Sequence, residues 1–142
     1  MLKLGTIEDL DLVLNMAYKF AEASPYKDLV DKEKIKNIAI DFLSTENERK
    51  VVILYEDKGM LIGSAHPFLF GEDYTATELV WWVEPEARKA GVGAELIKAF
   101  EYWANKIGCR FITLCCLDDE VGKFYEKKGF TLYERAYMKC LQ

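Results

Sequence analysis

The chain has 142 residues, 51% of them hydrophobic, and a formal net charge of −5. Its length suits one domain over residues 1–142, and its hydrophobic content excludes a largely disordered chain. The negative charge disfavours nucleic acid or an anionic membrane as the main partner. No apolar run approaches the roughly 20 residues of a membrane helix, and the first ten residues become acidic too early for a secretory signal. A soluble, cytoplasmic protein is therefore expected.

The first third of the chain predicts a short strand and two helices. Residues 2–4 form the strand, and Thr6 with Asp9 resembles a capping box at the start of a helix that should end before Pro25. A second helix is predicted over residues 31–42, with an inward face made by Ile35, Ile38, Ala39 and Phe42.

Three strands are predicted next, over residues 51–55, 61–70 and 75–83. Short polar, glycine-bearing segments join them, so the pairing should be antiparallel. Pro67 has no backbone N–H to give to a ladder, which predicts a bulge or an unpaired stretch in the second of these strands.

A strand, a glycine-bearing turn and a helix form the centre of the chain. Glu84-Pro85 ends the strand, and the helix ends at Gly108, where a left-handed residue is expected. Its apolar side chains recur every three or four residues and share one face: Val92, Leu96, Phe100, Trp103 and Ile107.

The last third predicts one more strand and helix, followed by two final strands. Residues 111–116 form a strand parallel to the one before the central helix, because a helical crossover returns the chain in the same direction. Asp118 or Asp119 caps the next helix, which Gly129 ends. Residues 130–133 and 136–141 complete the predicted elements.

The turn before the central helix is suited to bind an anion. The first amides of a helix have no internal acceptor and lie at the positive end of its dipole. Gly91 and Gly93 let a phosphate approach the backbone, and Arg88 and Lys89 add positive charge. The dinucleotide fingerprint is excluded because Leu96 replaces its third glycine, and no P-loop occurs. A phosphate-bearing ligand of another kind is indicated.

Two motifs resemble those of the GNAT superfamily of N-acetyltransferases. Arg88-Lys-Ala-Gly91-Val-Gly93 resembles its Arg/Gln-x-x-Gly-x-Gly/Ala signature, and Phe124-Tyr-Glu-Lys-Lys-Gly-Phe130 resembles its Phe/Leu-Tyr-x-x-x-Gly-Phe hallmark. The resemblance implies an α/β (α+β) GNAT fold with the order β-α-α-β-β-β-α-β-α-β-β. In that fold four helices surround a central mixed, mostly antiparallel twisted sheet of about seven strands.

The resemblance also implies an acetyl-CoA site between two strands that splay apart. The pantetheine arm would follow the strand edge near Trp82 and Val83. Asp118 stands where many relatives carry Asn, and an ionised carboxylate cannot donate a hydrogen bond, so the contact expected there is in doubt. Lys127 and Lys128 suit either a 3′-phosphate or a solvated surface. The pyrophosphate would bind the turn formed by Arg88, Lys89, Ala90, Gly91, Val92, Gly93 and Ala94.

Catalytic residues are expected on the central strand and the last helix. Glu78 resembles the family's general base, and desolvation beside tryptophans would raise its pKa; the alternative is that it only ends a strand edge. Tyr125 resembles the acid that protonates the departing sulfur, or else packs the helix against the sheet. The backbone N–H of Val83 or its neighbour would stabilise the oxyanion. His66 or a chain of waters is the reserve base.

Three aromatic residues in the first helix and the loop after it are further candidates for binding. Tyr18, Phe20 and Tyr26 are either substrate contacts or ordinary aromatics. No metal site is expected, since one histidine and no Cys-x-x-Cys spacing leave few ligands. Four buried, reduced thiols are expected instead, and a route through an acyl-cysteine is disfavoured because a buried thiol is a poor nucleophile. These thiols belong to Cys109, Cys115, Cys116 and Cys140.

These observations predict an enzyme that transfers an acetyl group from acetyl-CoA to a primary amine by direct attack in a ternary complex. The alternative is a regulatory or interaction module that binds CoA without turnover. The amine, the length of the acyl group and the oligomeric state stay open, although a homodimer is possible.

Overall fold

The structure is a computed structural model, and it describes residues 1–44 and 46–142. Its strands and helices follow the predicted order as far as the last helix. The elements are β1 (Leu2–Leu4), α1 (Leu10–Ala23), α2 (Lys32–Leu43), β2 (Lys50–Tyr55), β3 (Gly59–Pro67), β4 (Tyr74–Val83), α3 (Val92–Lys106), β5 (Phe111–Thr113) and α4 (Asp119–Lys127).

The five strands form one mixed sheet in the order β1-β2-β3-β4-β5. The first three pairings are antiparallel, as the short connections predicted, and β4 pairs with β5 in parallel across the α3 crossover. The predicted α/β, mostly antiparallel fold is confirmed.

Helices cover both faces of the sheet, because its central strands are apolar on both sides. On β2, Val51 and Ile53 pack in a core cluster with Phe100 of α3, whereas Val52 and Leu54 pack in a second cluster with α1 and α2. Burial on both faces makes these strands read as continuous hydrophobic runs.

Local signals set the helix ends where the sequence predicted them. The Thr6 backbone N–H donates to Asp9 Oδ2 at 2.9 Å, and a short 3₁₀ turn leads into α1, which ends at Ala23 before Pro25. The Asp118 carboxylate accepts from the Val121 N–H at 2.9 Å and caps α4. Gly108 follows α3 with a φ of 88°.

The predicted loss of pairing near Pro67 is confirmed, and the sheet has a second irregularity, in β4, that the sequence did not indicate. Ile62 pairs with Val80 and Gly63 pairs with Glu78, so Leu79 is an extra residue that bulges from β4. Strand β3 ends at Pro67 and does not continue to residue 70, because proline cannot donate the next ladder bond.

The predicted end of the sheet is wrong in two respects. Strand β5 stops at Thr113, not at residue 116, and residues 130–142 form no strand, so the described residues make five strands and not about seven. Tyr137 and Leu141 are almost fully exposed. A pattern typical of strands forms a ladder only where a neighbouring backbone pairs with it, and no described strand pairs with residues 130–142.

No helix in the described part of the chain combines the length and hydropathy that crossing a bilayer requires.

Candidate active site

The early end of β5 opens a gap beside the central strand. The parallel pairing covers Thr75, Ala76 and Thr77 of β4, and no strand in the described part of the chain pairs with the rest of β4, up to Val83, on that side. Two cavities lie along this free edge, and three side chains line both of them: Phe20, Trp81 and Val121.

The first cavity, named here the α3 groove, has a volume of about 510 Å³ and lies where β4 meets α3. Its walls come from the end of β4, the turn before α3, and the first turns of α4. The lining residues are Phe20, Trp81, Trp82, Val83, Arg88, Gly91, Gly93, Ala94, Glu120, Val121 and Phe124.

The N-terminus of α3 faces this groove with free amides. Gly91 is the N-cap and has a φ of 82°, a backbone conformation that residues other than glycine rarely adopt. The first helical bond runs from the Glu95 N–H to the Gly91 carbonyl at 3.1 Å, so the three preceding N–H groups lack a helical acceptor. A Cβ on Gly91 would meet no atom within 4 Å, so the space beside Gly91 is open.

Arg88 lies along the groove. Its Nε donates to the Val83 carbonyl at 3.0 Å, and its guanidinium lies 5.1 Å from the Trp82 ring centroid. The two terminal nitrogens keep donors for an anion. Trp81 and Trp82 also carry buried indole N–H groups that have no acceptor among the described residues.

The groove collects six of the predicted cofactor residues: Trp82, Val83, Arg88, Gly91, Gly93 and Ala94. The other four do not line it. Val92 is buried in the core, Asp118 caps α4 and lines the second cavity, and Lys89 and Ala90 belong to the turn without facing the groove.

Sequence reasoning missed three groove residues on α4, which are Glu120, Val121 and Phe124. The spacing of Val121 and Phe124 on one helical face was visible, yet it does not tell which surface that face meets. Trp81 was also missed. Its ring fills the space that a Cβ on Gly93 would need, with its Cζ2 only 2.8 Å from that position.

The second cavity, named here the central cavity, has a volume of about 600 Å³ and lies between α1, α2, β4 and α4. Glu78 lines it and is 9% exposed. Burial raises the pKa of Glu78 from 4.5 to about 7, while a hydrogen bond from the Cys115 backbone N–H opposes this shift. Near neutral pH this carboxyl group can therefore both accept and release a proton.

Tyr125 lies at the same cavity and is linked to Glu78 through the backbone of one residue, Cys115. Its hydroxyl donates to the Cys115 carbonyl at 2.9 Å, while the N–H of the same residue bonds the Glu78 carboxylate. Burial raises the pKa of Tyr125 above its usual value, so the hydroxyl stays protonated at neutral pH. Trp81 packs against the Tyr125 ring at 5.7 Å between centroids.

The prediction of four buried thiols is wrong. Cys115, Cys116 and Cys140 are exposed and Cys109 is partly buried, although all four are free. The chain leaves the sheet after Thr113, so the two adjacent cysteines line the central cavity instead of packing within a strand. Burial still raises the pKa of Cys115, which disfavours its thiolate.

Of the remaining candidate residues, two line the central cavity and the others do not. His66 Nε2 lies 2.7 Å from Thr77 Oγ1, and His66 lines neither cavity. Phe20 and Tyr26 line the central cavity, whereas Tyr18 packs with the α1 and α2 cluster beneath Lys32. Lys128 lies over the Phe124 ring at 5.7 Å.

The burial of Glu78 should cost stability at alkaline pH. Its pKa in the folded chain is raised above the unfolded value, so its contribution is fully present below about pH 4.5 and is lost as the pH rises through about 7. We expect Glu78→Gln to unfold with a free energy about 3 kcal/mol higher than the parent at pH 8, and nearly equal at pH 4.5. Urea unfolding at the two pH values measures this, and Glu101→Gln on exposed α3 surface is the control. Equal unfolding free energies for the parent and Glu78→Gln at pH 8 would contradict a raised pKa of Glu78.

No group of three or more His, Cys, Asp or Glu side chains that could hold a metal ion occurs among residues 1–44 and 46–142.

Comparison with known proteins places this geometry in context. A curated relative, the aminoglycoside N(6')-acetyltransferase type 1 of Klebsiella aerogenes, is 55% identical over 29 residues, which are 20% of this chain and 19% of that protein. The match thus spans only a small part of that relative. An acetyltransferase of Trypanosoma brucei has the same fold, with a TM-score of 0.75, 24% identity, and 99% of each chain covered.

The structure of AAC(6')-Iy with the bisubstrate analogue CoA-S-monomethyl-acetylneamine also has this fold. Its TM-score is 0.76 at 16% identity, covering 100% of this chain and 97% of that one. The profile of the acetyltransferase (GNAT) domain matches residues 47–132, more than half of the chain. Both glycine motifs, residues 88–93 and 124–130, lie within that match, and the chain belongs to the GNAT acetyltransferase family.

Proposed function

We propose that the protein is an N-acetyltransferase that moves an acetyl group from acetyl-CoA to a primary amine by direct attack in a ternary complex. The observation that carries this proposal is Glu78, a carboxyl group with a pKa raised to about 7 at a cavity that adjoins the α3 groove. One catalytic domain over residues 1–142 fits the two core clusters packed on opposite faces of a single sheet.

The α3 groove supplies what an acyl donor with a pyrophosphate needs. The free amides after Gly91 and the terminal nitrogens of Arg88 would bind its phosphates, and the unpaired edge of β4 near Val83 would hold its amide-bearing arm. Bound acetyl-CoA would supply the acetyl group as an activated thioester. The buried indole N–H groups of Trp81 and Trp82 are donors that a polar ligand can satisfy.

The catalytic side chains act on protons in this proposal. Glu78 accepts the proton that the amine loses on attack, for which a pKa near 7 is a better match than that of an ordinary carboxylate. The backbone N–H of Val83 or its neighbour donates to the carbonyl oxygen as charge develops. Tyr125, protonated at neutral pH, gives its proton to the departing sulfur. The raised pKa of Cys115 argues against an acyl-cysteine route.

The alternative is a module that binds CoA and does not turn over. Purified protein with acetyl-CoA and a panel of amines separates the two, with free thiol followed by a colorimetric reagent and the product identified by mass. Thiol release that depends on the amine supports the enzyme. Tight CoA binding with no such release would establish the module.

Replacing Tyr125 by phenylalanine tests the acid. We expect Tyr125→Phe to lower turnover at least tenfold and to leave CoA affinity nearly unchanged, because the hydroxyl bonds Cys115 and not the α3 turn. Stopped-flow turnover and calorimetric CoA binding measure the two effects. Exposed Tyr137→Phe is the matched control. Turnover equal to that of the parent would remove Tyr125 from the mechanism.

We also propose that the protein forms a homodimer. The outer edge of β5 has no neighbour in the described sheet. The largely exposed segment 130–142 has a strand-like sequence but pairs with no strand in the described structure. In a dimer, the segment 130–142 of one copy could pair with the free edge of β5 in the other copy. Sedimentation equilibrium gives the mass in solution.

A further inference from the structure

Most of the side chains that line the central cavity are apolar. Many of these come from α1, α2 and the loop between them, and they include Val13, Phe20, Leu29, Ile35, Ile38 and Phe42. The volume of about 600 Å³ is that of a small-molecule site. An acceptor bound within this cavity at Glu78 would therefore contact mainly hydrocarbon and aromatic side chains.

The charge of the lining is equally restrictive. Among the described residues that line this cavity, Glu78 and Asp118 carry the only carboxylates, and none is Lys or Arg. The Asp118 carboxylate already accepts the Val121 N–H and caps α4. Asp118 is exposed to solvent, so Glu78 is the one buried carboxyl group in the described lining, and a further ammonium buried against the apolar walls would lack a partner, which is costly.

We propose that the acceptor is a primary amine with one cationic nitrogen on an aromatic or branched apolar body, an arylalkylamine in the simplest case, and not a polycation. This rests on the proposed acetyl transfer and names the substrate class of that same site. The amine lies at Glu78, and the ring packs between α1 and α2, where Phe20, Tyr26 and Phe42 offer aromatic faces.

Two assays with the same amines test the class. The panel holds 2-phenylethylamine and tryptamine, the polycations tobramycin and kanamycin, and spermidine. The first assay measures kcat/KM from thiol release with acetyl-CoA. The second measures binding of each amine to the CoA-loaded protein by saturation-transfer NMR and calorimetry, without any turnover. We expect the arylalkylamines to exceed the polycations roughly 10- to 100-fold in both, as burial of one aromatic group implies.

A pair of substitutions on one helix localises the effect. Ile38 and Ile40 of α2 are 47% and 39% exposed, yet only Ile38 lines the central cavity. Ile38→Glu should lower kcat/KM and affinity for tryptamine about tenfold or more, and narrow the gap to tobramycin, with CoA affinity unchanged. Ile40→Glu adds the same charge outside the cavity and should match the parent.

The outcomes keep the two proposals apart. Arylalkylamine binding without thiol release would sustain the acceptor class and defeat acetyl transfer. Preferential binding or acetylation of tobramycin or kanamycin would overturn the class while leaving transfer intact. Failure of every amine to bind the CoA-loaded protein would overturn the class as well, and so would equal effects of the two isoleucine substitutions.

Discussion

Turnover should fall by about 100-fold or more when Glu78 is replaced by glutamine, because general base catalysis by a positioned group contributes about that much. Glutamine keeps the size of the side chain and can still accept the Cys115 N–H, so the cavity should keep its shape. In the parent, kcat/KM should rise with pH through about 7, because burial raises the pKa of Glu78 to that value and only the ionised form accepts a proton.

The pH dependence distinguishes a base from a structural residue. As the pH approaches the pKa of the amine, near 10, more of the amine is already deprotonated in solution, and the defect of Glu78→Gln should shrink. Steady-state rates between pH 6 and 10, with calorimetric CoA binding, provide the measurement. Exposed Glu101→Gln is the charge-matched control. A parent profile that is flat between pH 6 and 8, or a defect that is constant at every pH, would refute the assignment.

CoA affinity should fall at least 100-fold when Gly91 is replaced by aspartate, which corresponds to about 2.7 kcal/mol. Gly91 is the N-cap of α3, and an aspartate there would accept hydrogen bonds from the same amides that the phosphates need. Its negative charge would also repel a pyrophosphate at the positive end of the helix dipole. The left-handed backbone at Gly91 also strains any residue with a Cβ, by about 1–2 kcal/mol, so the loss of binding must be compared with a site that carries the same strain.

A second glycine gives a close control for this substitution. Gly108 has nearly the same φ, 88° against 82°, and a Cβ at either position meets nothing within 4 Å. Gly108→Asp therefore introduces the same backbone strain at the opposite end of α3, away from the groove. Calorimetric titration with CoA should give parent affinity for Gly108→Asp. Similar losses for both variants would show that backbone strain is responsible, and would remove the α3 amides from the site.

Much of the fold followed from local signals in the sequence. The order of elements through α4, the caps at Thr6 and Asp118, and the left-handed glycines depend on residues within a few positions of one another. Such signals act wherever the segment is placed. The prediction of the final strands was wrong because a strand needs a pairing partner, and the sequence of residues 130–142 alone does not show whether another backbone lies close enough to pair.

The sequence by itself determined the family and located the glycine-bearing turn before α3, since both glycine motifs are short and the free amides after Gly91 are a property of one helix end. Only the tertiary structure decided the chemistry around that turn. The raised pKa of Glu78, its link to Tyr125 through Cys115, and the apolar walls of the central cavity all join segments that are far apart along the chain. Desolvation depends on every atom that surrounds a group, and only folding brings those atoms together.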